Sequence, residues 1–331
     1  MSSQARSSFA LRTRRFELTE CTERDLDFLA SLLGSEDVMR FYPRAFVEAG
    51  PRSWLERVTN RYANDGMGTW VVRPRGSGER LALIGLLRQT IWNEEVDETS
   101  YLVARAHWGE GIATEVASAC RDHSLFVRGE PAVYALIRED NVASRRVAER
   151  MGMRVVGEDM HAELPHLVHR VEAPAGICIR AATPADEPEQ VRIFRSNVDP
   201  YFVAEELAGF LEYVRAPAGP YWVVEDAQGN LVACGGWSPA RDDASRAQMV
   251  WGMVERTRHK TGLGGVLLRA RMADAARHEN IVTMGVNTSQ HTSGFFARAG
   301  FRVTETRENA YAPGLHRVNM LWGADGVDTR G

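Results

Sequence analysis

The sequence predicts two tandem copies of one α/β domain, each with helices layered on a mixed sheet. Three observations lead there. A glycine-bearing loop that opens a helix occurs twice, at Trp108-Gly109-Glu110-Gly111-Ile112-Ala113-Thr114-Glu115 and at Lys260-Thr261-Gly262-Leu263-Gly264-Gly265-Val266-Leu267. The segments around it recur in one order, with Trp70 answered by Trp222 and Gly111 by Gly264, at an offset of about 150 residues. A proline and small-residue stretch, Glu172-Ala173-Pro174-Ala175-Gly176, marks a seam between them.

Each copy opens on an extended segment, residues 11–18 and 178–182. A helix start with an acidic residue three after its cap follows, at Thr22-Glu23-Arg24-Asp25 and Thr183-Pro184-Ala185-Asp186. Trp70-Val71-Val72 and Trp222-Val223-Val224 then enter hairpins through Gly76-Ser77-Gly78 and Asp226-Ala227-Gln228-Gly229. Strands over 100–104 and 248–254 run into the two glycine loops. Apolar residues at Ile112, Val116 and Cys120, and at Leu263, Val266, Leu267 and Ala270, repeat at helical spacing. Gly152 and Gly300 close the last helices, ahead of a final pair of strands. The expected order in each copy is strand, two helices, three strands, helix, strand, helix, two strands, with domain limits 9–172 and 177–323.

A chain of 331 residues is long enough for two cores. A net charge of −4 without a basic stripe gives no footprint for nucleic acid. Cys21, Cys120, Cys178 and Cys234 are scattered, which suits reduced, partly buried thiols and neither a disulfide framework nor a zinc site. The nine histidines form no ligand-spaced cluster, so no metal is expected; His161, His166 and His169 read as a surface group. No apolar run reaches the roughly 18 residues of a membrane span, and MSSQARSS has no apolar centre of a secretory signal. The expectation is a cytoplasmic protein with no membrane partner.

Glycine at a helix start lets main-chain N–H groups approach a ligand, and the positive end of the helix favours phosphate oxygens. The loop is not a P-loop, because no Lys-Ser/Thr follows its last glycine. Nor does it fit the dinucleotide fingerprint, since Thr114 and Leu267 stand where a third Gly or Ala is needed.

The first copy resembles the RimJ/RimL branch of the GNAT (GCN5-related N-acetyltransferase) superfamily. The resemblance lies in Glu98-Thr99-Ser100-Tyr101-Leu102-Val103, the Trp108 to Glu115 run, and Asn141-Val142-Ala143-Ser144-Arg145-Arg146-Val147-Ala148-Glu149-Arg150-Met151-Gly152-Met153. The second copy is similar to a more general GNAT domain, through Val254 to Gly265 and Phe295-Phe296-Ala297-Arg298-Ala299-Gly300-Phe301. The resemblance implies mixed, mostly antiparallel sheets with helices on both faces, and acetyl-CoA as acyl donor. It places Val103 and Val254 along the pantetheine arm. It assigns the diphosphate to His107, Trp108, Gly109, Glu110, Gly111, Ile112 and Ala113 in the first copy. In the second it assigns His259, Lys260, Thr261, Gly262, Leu263, Gly264 and Gly265, with Asn141 and Ser289 as further cofactor contacts. Lys260, the one lysine in the chain, is either a Coulombic partner of the diphosphate or an exposed loop residue. The side chains of Trp108, Trp70 and Trp222 read as packing.

Amine acylation needs a neutral amine, and deprotonation at pH 7 costs roughly 1–5 kcal/mol depending on the amine. A positioned carboxylate meets that need. Glu98 is the candidate base, expected at the start of the strand before the loop; the rival reading is a solvated glutamate in the acidic run Glu94, Glu95, Asp97, Glu98. Ser144 is the candidate acid for the thiolate, against a plain helix-start hydroxyl. The second copy lacks a tyrosine at Phe296 and a carboxylate at Gln248, leaving Thr292, at the spacing of Ser144, with His291 and Tyr311 nearby in sequence.

The sequence therefore points to an N-acetyltransferase acting on a small-molecule amine or a peptide N-terminus, with the first copy the better candidate for turnover. Two rivals stand: a second copy that acetylates a small amine beside a structural first copy, and a non-catalytic acyl-CoA sensor. Acceptor-facing loops are expected at 36–51 and in the last hairpin, and a homodimer stays open.

Overall fold

The computed structural model describes residues 9–323, so the opening MSSQARSS lies outside the described residues. The chain divides into two compact units between Ala173 and Pro174.

The first unit begins with β1 (Phe9–Arg12) and β2 (Phe16–Thr19), a short hairpin where the sequence suggests one strand. The break is made by Glu115, whose carboxylate accepts from the Thr13 hydroxyl at 2.7 Å, the Arg15 amide at 2.9 Å and Arg15 Nε at 2.6 Å. Four helices follow, α1 (Leu26–Leu33), α2 (Glu36–Met39), α3 (Arg44–Glu48) and α4 (Gly50–Asp65). Residues 36–51 are thus largely helical where a loop was expected. Strands β3 (Thr69–Pro74), β4 (Ala82–Ile91) and β5 (Glu94–Val103) lead to α5 (Ile112–His123). Then come β6 (Ala132–Ile137), α6 (Val142–Arg150), β7 (Arg154–His161) and β8 (Leu164–Glu172). The sheet order is β1-β2-β3-β4-β5-β6-β8-β7, with β5 and β6 the parallel pair.

The second unit keeps the expected order. It runs β9 (Ile177–Ala181), α7 (Glu187–Ser196), α8 (Leu207–Arg215), β10 (Tyr221–Asp226), β11 (Leu231–Pro239) and β12 (Arg246–Val254). It continues with α9 (Leu263–Ala276), β13 (Thr283–Ser289), α10 (Ser293–Arg298), β14 (Arg302–Ala312) and β15 (Leu315–Trp322). Its sheet is β9-β10-β11-β12-β13-β15-β14, with β12 and β13 parallel. Both predicted capping boxes form: Asp25 accepts from Thr22 N at 2.9 Å and Asp186 from Thr183 N at 2.7 Å.

In each unit the parallel pair is short. The β5–β6 ladder ends at Glu98↔Tyr134 and the β12–β13 ladder at Met249↔Val286, yet all four strands run on, so each pair parts toward its C-terminal end. Alternation along β5 puts Glu98 and Ser100 on one face and Asp97, Thr99 and Tyr101 on the other. Asp97, fully buried, anchors its face: it accepts from Ser124 Oγ at 2.8 Å, Arg88 Nη1 at 2.8 Å and Arg128 Nε at 2.9 Å. The α5 end is thereby tied to the strand that carries Glu98. Asp97→Ala removes the acceptor shared by Ser124, Arg88 and Arg128, leaving the two guanidiniums only Glu130 among the described residues. It is expected to lower unfolding stability by about 1–3 kcal/mol, read as a drop in thermal midpoint with the far-ultraviolet spectrum retained.

Candidate active site

The two glycine loops superpose in pattern once the backbone is followed and not the letters. In the first, Gly109 (φ 86°) and Gly111 (φ 77°) are left-handed; in the second, Lys260 (φ 64°) and Gly262 (φ 94°) are. Gly111 and Gly262 each cap the helix that follows. Gly262 is therefore the counterpart of Gly111, which corrects the pairing of Gly111 with Gly264, and Lys260 stands where the first loop has Gly109. A lysine in this conformation is uncommon, since its Cβ crowds the backbone. Gly264 lies inside α9, where a Cβ would come within 3.6 Å of Phe295.

Alternating left-handed residues at a helix start turn successive N–H groups toward one side. Among the described residues, the amides of 109–114 and of 260–264 donate to no protein acceptor. Nothing lies within 4 Å of a Cβ placed at Gly109 or Gly262, so both loops leave room for a ligand against the backbone. These free donors at a helix N-terminus suit the diphosphate of coenzyme A.

The flanking side chains occupy the strand ends. Trp108 Nε1 donates to the Val103 carbonyl at 2.8 Å, and His259 Nε2 bonds the Val254 carbonyl at 3.0 Å, joined there by Asn197 Nδ2 at 2.9 Å. Trp108 is 45% exposed, with the Arg105 guanidinium 4.5 Å over its ring, so it is not a packing residue. Trp70 is buried and Trp222 partly so. His107 is held by Glu110 at 3.2 Å and Glu79 at 3.6 Å.

Glu98 lies mid-strand and buried, at the last β5–β6 pair, not at a solvated strand start. Its Oε1 accepts from the Leu136 amide at 3.2 Å, two residues past the point where the strands part. Burial pushes its carboxyl up to about 7, against the Leu136 N–H and the positive charge of Arg61, which both favour the ionised form. Around it stand Tyr42, whose hydroxyl is 3.5 Å from Ser100 Oγ, and Tyr101, whose O–H donates to the Ser144 carbonyl at 2.8 Å. Burial and the Glu98 charge raise both phenols. The charge of Glu98 thus reaches Tyr42 on its own face of β5 and Tyr101 on the opposite face, where that phenol meets the start of α6. Asn141 caps α6 by accepting from Ser144 N at 3.2 Å, and the Ser144 hydroxyl donates to no acceptor among the described residues. Tyr42, Tyr101 and Arg61 escape sequence reading; only Tyr101 carries a signal there, three residues after Glu98 on the strand that enters the loop.

In the second unit Thr292 is committed: its hydroxyl bonds those of Thr288 and, at 3.5 Å, Ser289. Ser289 ends β13, His291 is exposed and Tyr311 lies on β14; no hydrogen bond joins His291 or Tyr311 to Thr292 among the described residues. Gln248 takes the sheet position of Glu98. Glu98 pairs Leu87 and Tyr134, and Gln248 pairs Ser238 and Gly285, although a bulge at Trp251 (φ 43°) puts an extra residue between Gln248 and the loop. Phe296 is buried against Phe295 and Phe301.

Two histidines expected on the surface are inside. His166 and His169 on β8 are buried, and burial depresses His161, His166 and His169. Cys21, Cys120 and Cys234 are buried and Cys178 is exposed, all as free thiols. No helix among the described residues is long and apolar enough to cross a membrane, and no metal-holding cluster is found among them.

Residues 15–154 match the family model described as acetyltransferase (GNAT) domain, and residues 188–301 match the acetyltransferase (GNAT) family model. The chain belongs to the GNAT family. It is an acyl-CoA-dependent N-acyltransferase, built of two such domains in tandem. Among relatives, an uncharacterized protein YkkB of Bacillus subtilis is 36% identical over 142 residues, 43% of this chain and 83% of the relative. An uncharacterized N-acetyltransferase YoaA of the same organism is 24% identical over 149 residues, 44% of this chain and 84% of the relative. Of solved structures, an acetyltransferase from Agrobacterium tumefaciens covers 52% of this chain and 99% of its own at 21% identity, with a TM-score of 0.44. Mycobacterium smegmatis RimJ in complex with CoA-disulfide covers 50% and 86% at 20% identity, with a TM-score of 0.42.

A β-branched side chain cannot adopt the left-handed turn without strain. Gly111→Val and Gly262→Val are each expected to weaken coenzyme A binding at their own loop by at least about tenfold. Titration calorimetry should show two binding events in the parent chain and one in each variant.

Proposed function

We propose that the first unit, within limits 9–172, transfers acetyl from acetyl-CoA to a primary amine, with Glu98 as general base. The observation that carries this reading is a buried carboxylate poised at about 7 where the parallel strands part. A base with that proton affinity is half ionised at neutral pH and still basic enough to take an amine proton. The free amides of 109–114 hold the diphosphate, and Val103 lies along the pantetheine arm. The amine nitrogen bonds to the thioester carbon, the carbon–sulfur bond breaks, the amine proton passes to Glu98 and on to solvent, and the Ser144 hydroxyl gives its proton to the leaving sulfur and regains one from solvent. Asn141 positions Ser144 at the helix start. The acceptor is a small-molecule amine or a peptide N-terminus, met in the cytoplasm.

The second unit, within limits 177–323, binds acyl-CoA through the amides of 260–264, and Lys260 adds a positive charge beside that loop. Its own turnover is not supported: Gln248 replaces the base in the same sheet position, Phe296 cannot donate a proton, and Thr292 spends its hydroxyl on its neighbours. Ser289 and Thr292 serve there as strand-end and helix-start residues.

Glu98→Gln keeps the acceptor for the Leu136 amide and removes the proton acceptor. It is expected to lower kcat about 10²–10³-fold, and to abolish an acidic limb near pH 7 in kcat/KM, read by free thiol release over an amine panel. The folded-state carboxyl is raised, so the native chain binds more protons than the unfolded one between about pH 4.5 and 7. Stability therefore falls as pH rises through that window. Glu98→Gln should raise the thermal midpoint at pH 8 and much less at pH 5.

A further inference from the structure

On α4, Arg57 and Arg61 stand one turn apart, close enough for their charges to repel. Arg61 donates through Nη1 to the Arg88 carbonyl of β4 at 2.8 Å, which fixes the guanidinium over the sheet. It is half-buried, and among the described residues no carboxylate lies within ion-pair distance of it. Its charge reaches Glu98 on β5 and His161 at the end of β7. With Nη1 engaged, the Nε–Nη2 edge stays open, and that edge matches a carboxylate or phosphate in two parallel hydrogen bonds.

The neighbouring groups are donors too. The indole N–H of Trp54, a residue 8% exposed, has no acceptor. The Trp54 ring lies 5.9 Å from that of Tyr42, whose hydroxyl approaches Ser100 on the Glu98 face. One negative group, Glu98, thus lies within reach of the Arg61 cation, and the Trp54 N–H on the same helix is a donor without an acceptor. A ligand with one ammonium and one anionic end complements both.

We infer that the acceptor of the first unit is a short primary amine carrying a carboxylate or phosphate, its nitrogen at Glu98 and its anion on the open edge of Arg61. The inference rests on Glu98 as the base. A diamine would bring a second positive charge to Arg61, and a peptide N-terminus would offer it only a neutral amide.

The test uses the full chain with acetyl-CoA and four acceptors: 4-aminobutyrate, O-phosphoethanolamine, butylamine and 1,4-diaminobutane. The two anionic amines are expected to exceed butylamine in kcat/KM by about tenfold or more. Arg61→Met should bring that ratio near one by raising KM for the anionic pair, and Arg61→Lys should restore part of it. Equal kcat/KM for all four, or an equal loss for all in Arg61→Met, overturns the inference. Calorimetry on Glu98→Gln reads binding without turnover. Anionic amines that bind it, and do not bind the Glu98→Gln/Arg61→Met pair, uphold the inference even if the parent chain acylates nothing, a result that would instead refute Glu98 as base. Absence of such binding, with no anionic preference in turnover, refutes the inference itself.

Discussion

The first unit depends on the place where β5 and β6 stop pairing. Beyond Glu98↔Tyr134 the two strands run on without each other, each still paired to its outer neighbour, and the edges that face each other lose their ladder partners. A buried N–H left without an acceptor costs about 1–3 kcal/mol. Glu98 supplies the acceptor for the amide of Leu136, so the side chain that completes the broken ladder is held, buried, in the gap. Its raised proton affinity follows from that position. One carboxylate oxygen answers a structural need, and the other has no hydrogen-bond donor among the described residues.

The second unit opens its strands by another means. β12 carries two residues, Trp251 and Gly252, opposite Gly235, and the Tyr221 hydroxyl donates to the Trp251 carbonyl at 3.0 Å. The guanidinium of buried Arg271 lies against this bulge: a Cβ at Gly252 would stand 2.6 Å from Nη1. Glycine at that position makes room for the arginine. Both units thus part a parallel pair, and in both a glycine loop with unpaired amides opens the helix that follows.

Much of this was legible in the chain. Duplication, the order of the second copy, both capping boxes and both loops follow from local chemistry: turn residues, caps and apolar spacing. What the letters hid was non-local. Matching glycine to glycine pairs Gly111 with Gly264, because a lysine in the left-handed region is not expected where Lys260 sits. Glu115 reads as an ordinary helix glutamate, yet it folds the chain back at Thr13 and Arg15 and splits the first strand. His166 and His169 read as surface residues because polarity alone does not show that β8 lies between β6 and β7. Arg61, on a helix far upstream in sequence, meets Glu98 only through the packing of α4 on the sheet.

The bulge also explains why counting from the loop misplaces the base of the second unit. Counted back from Val254, the residue equivalent to Glu98 is Met249; one bulge residue shifts the register, and Gln248 takes the place. Gln248 Oε1 reaches over Gly285, on the strand position that Tyr134 holds in the first unit. A glutamine there is uncharged and avoids the desolvation cost of a buried carboxylate. The proposed role of Glu98 as base draws on that cost, because burial is what raises its proton affinity. On the proposal that the second unit binds acyl-CoA without turnover, nothing there opposes replacement of the charge by an amide. Among the differences between the two units, this one falls at a single matched sheet position, Glu98 against Gln248, and the shared pairing of the neighbouring strands is what makes that match.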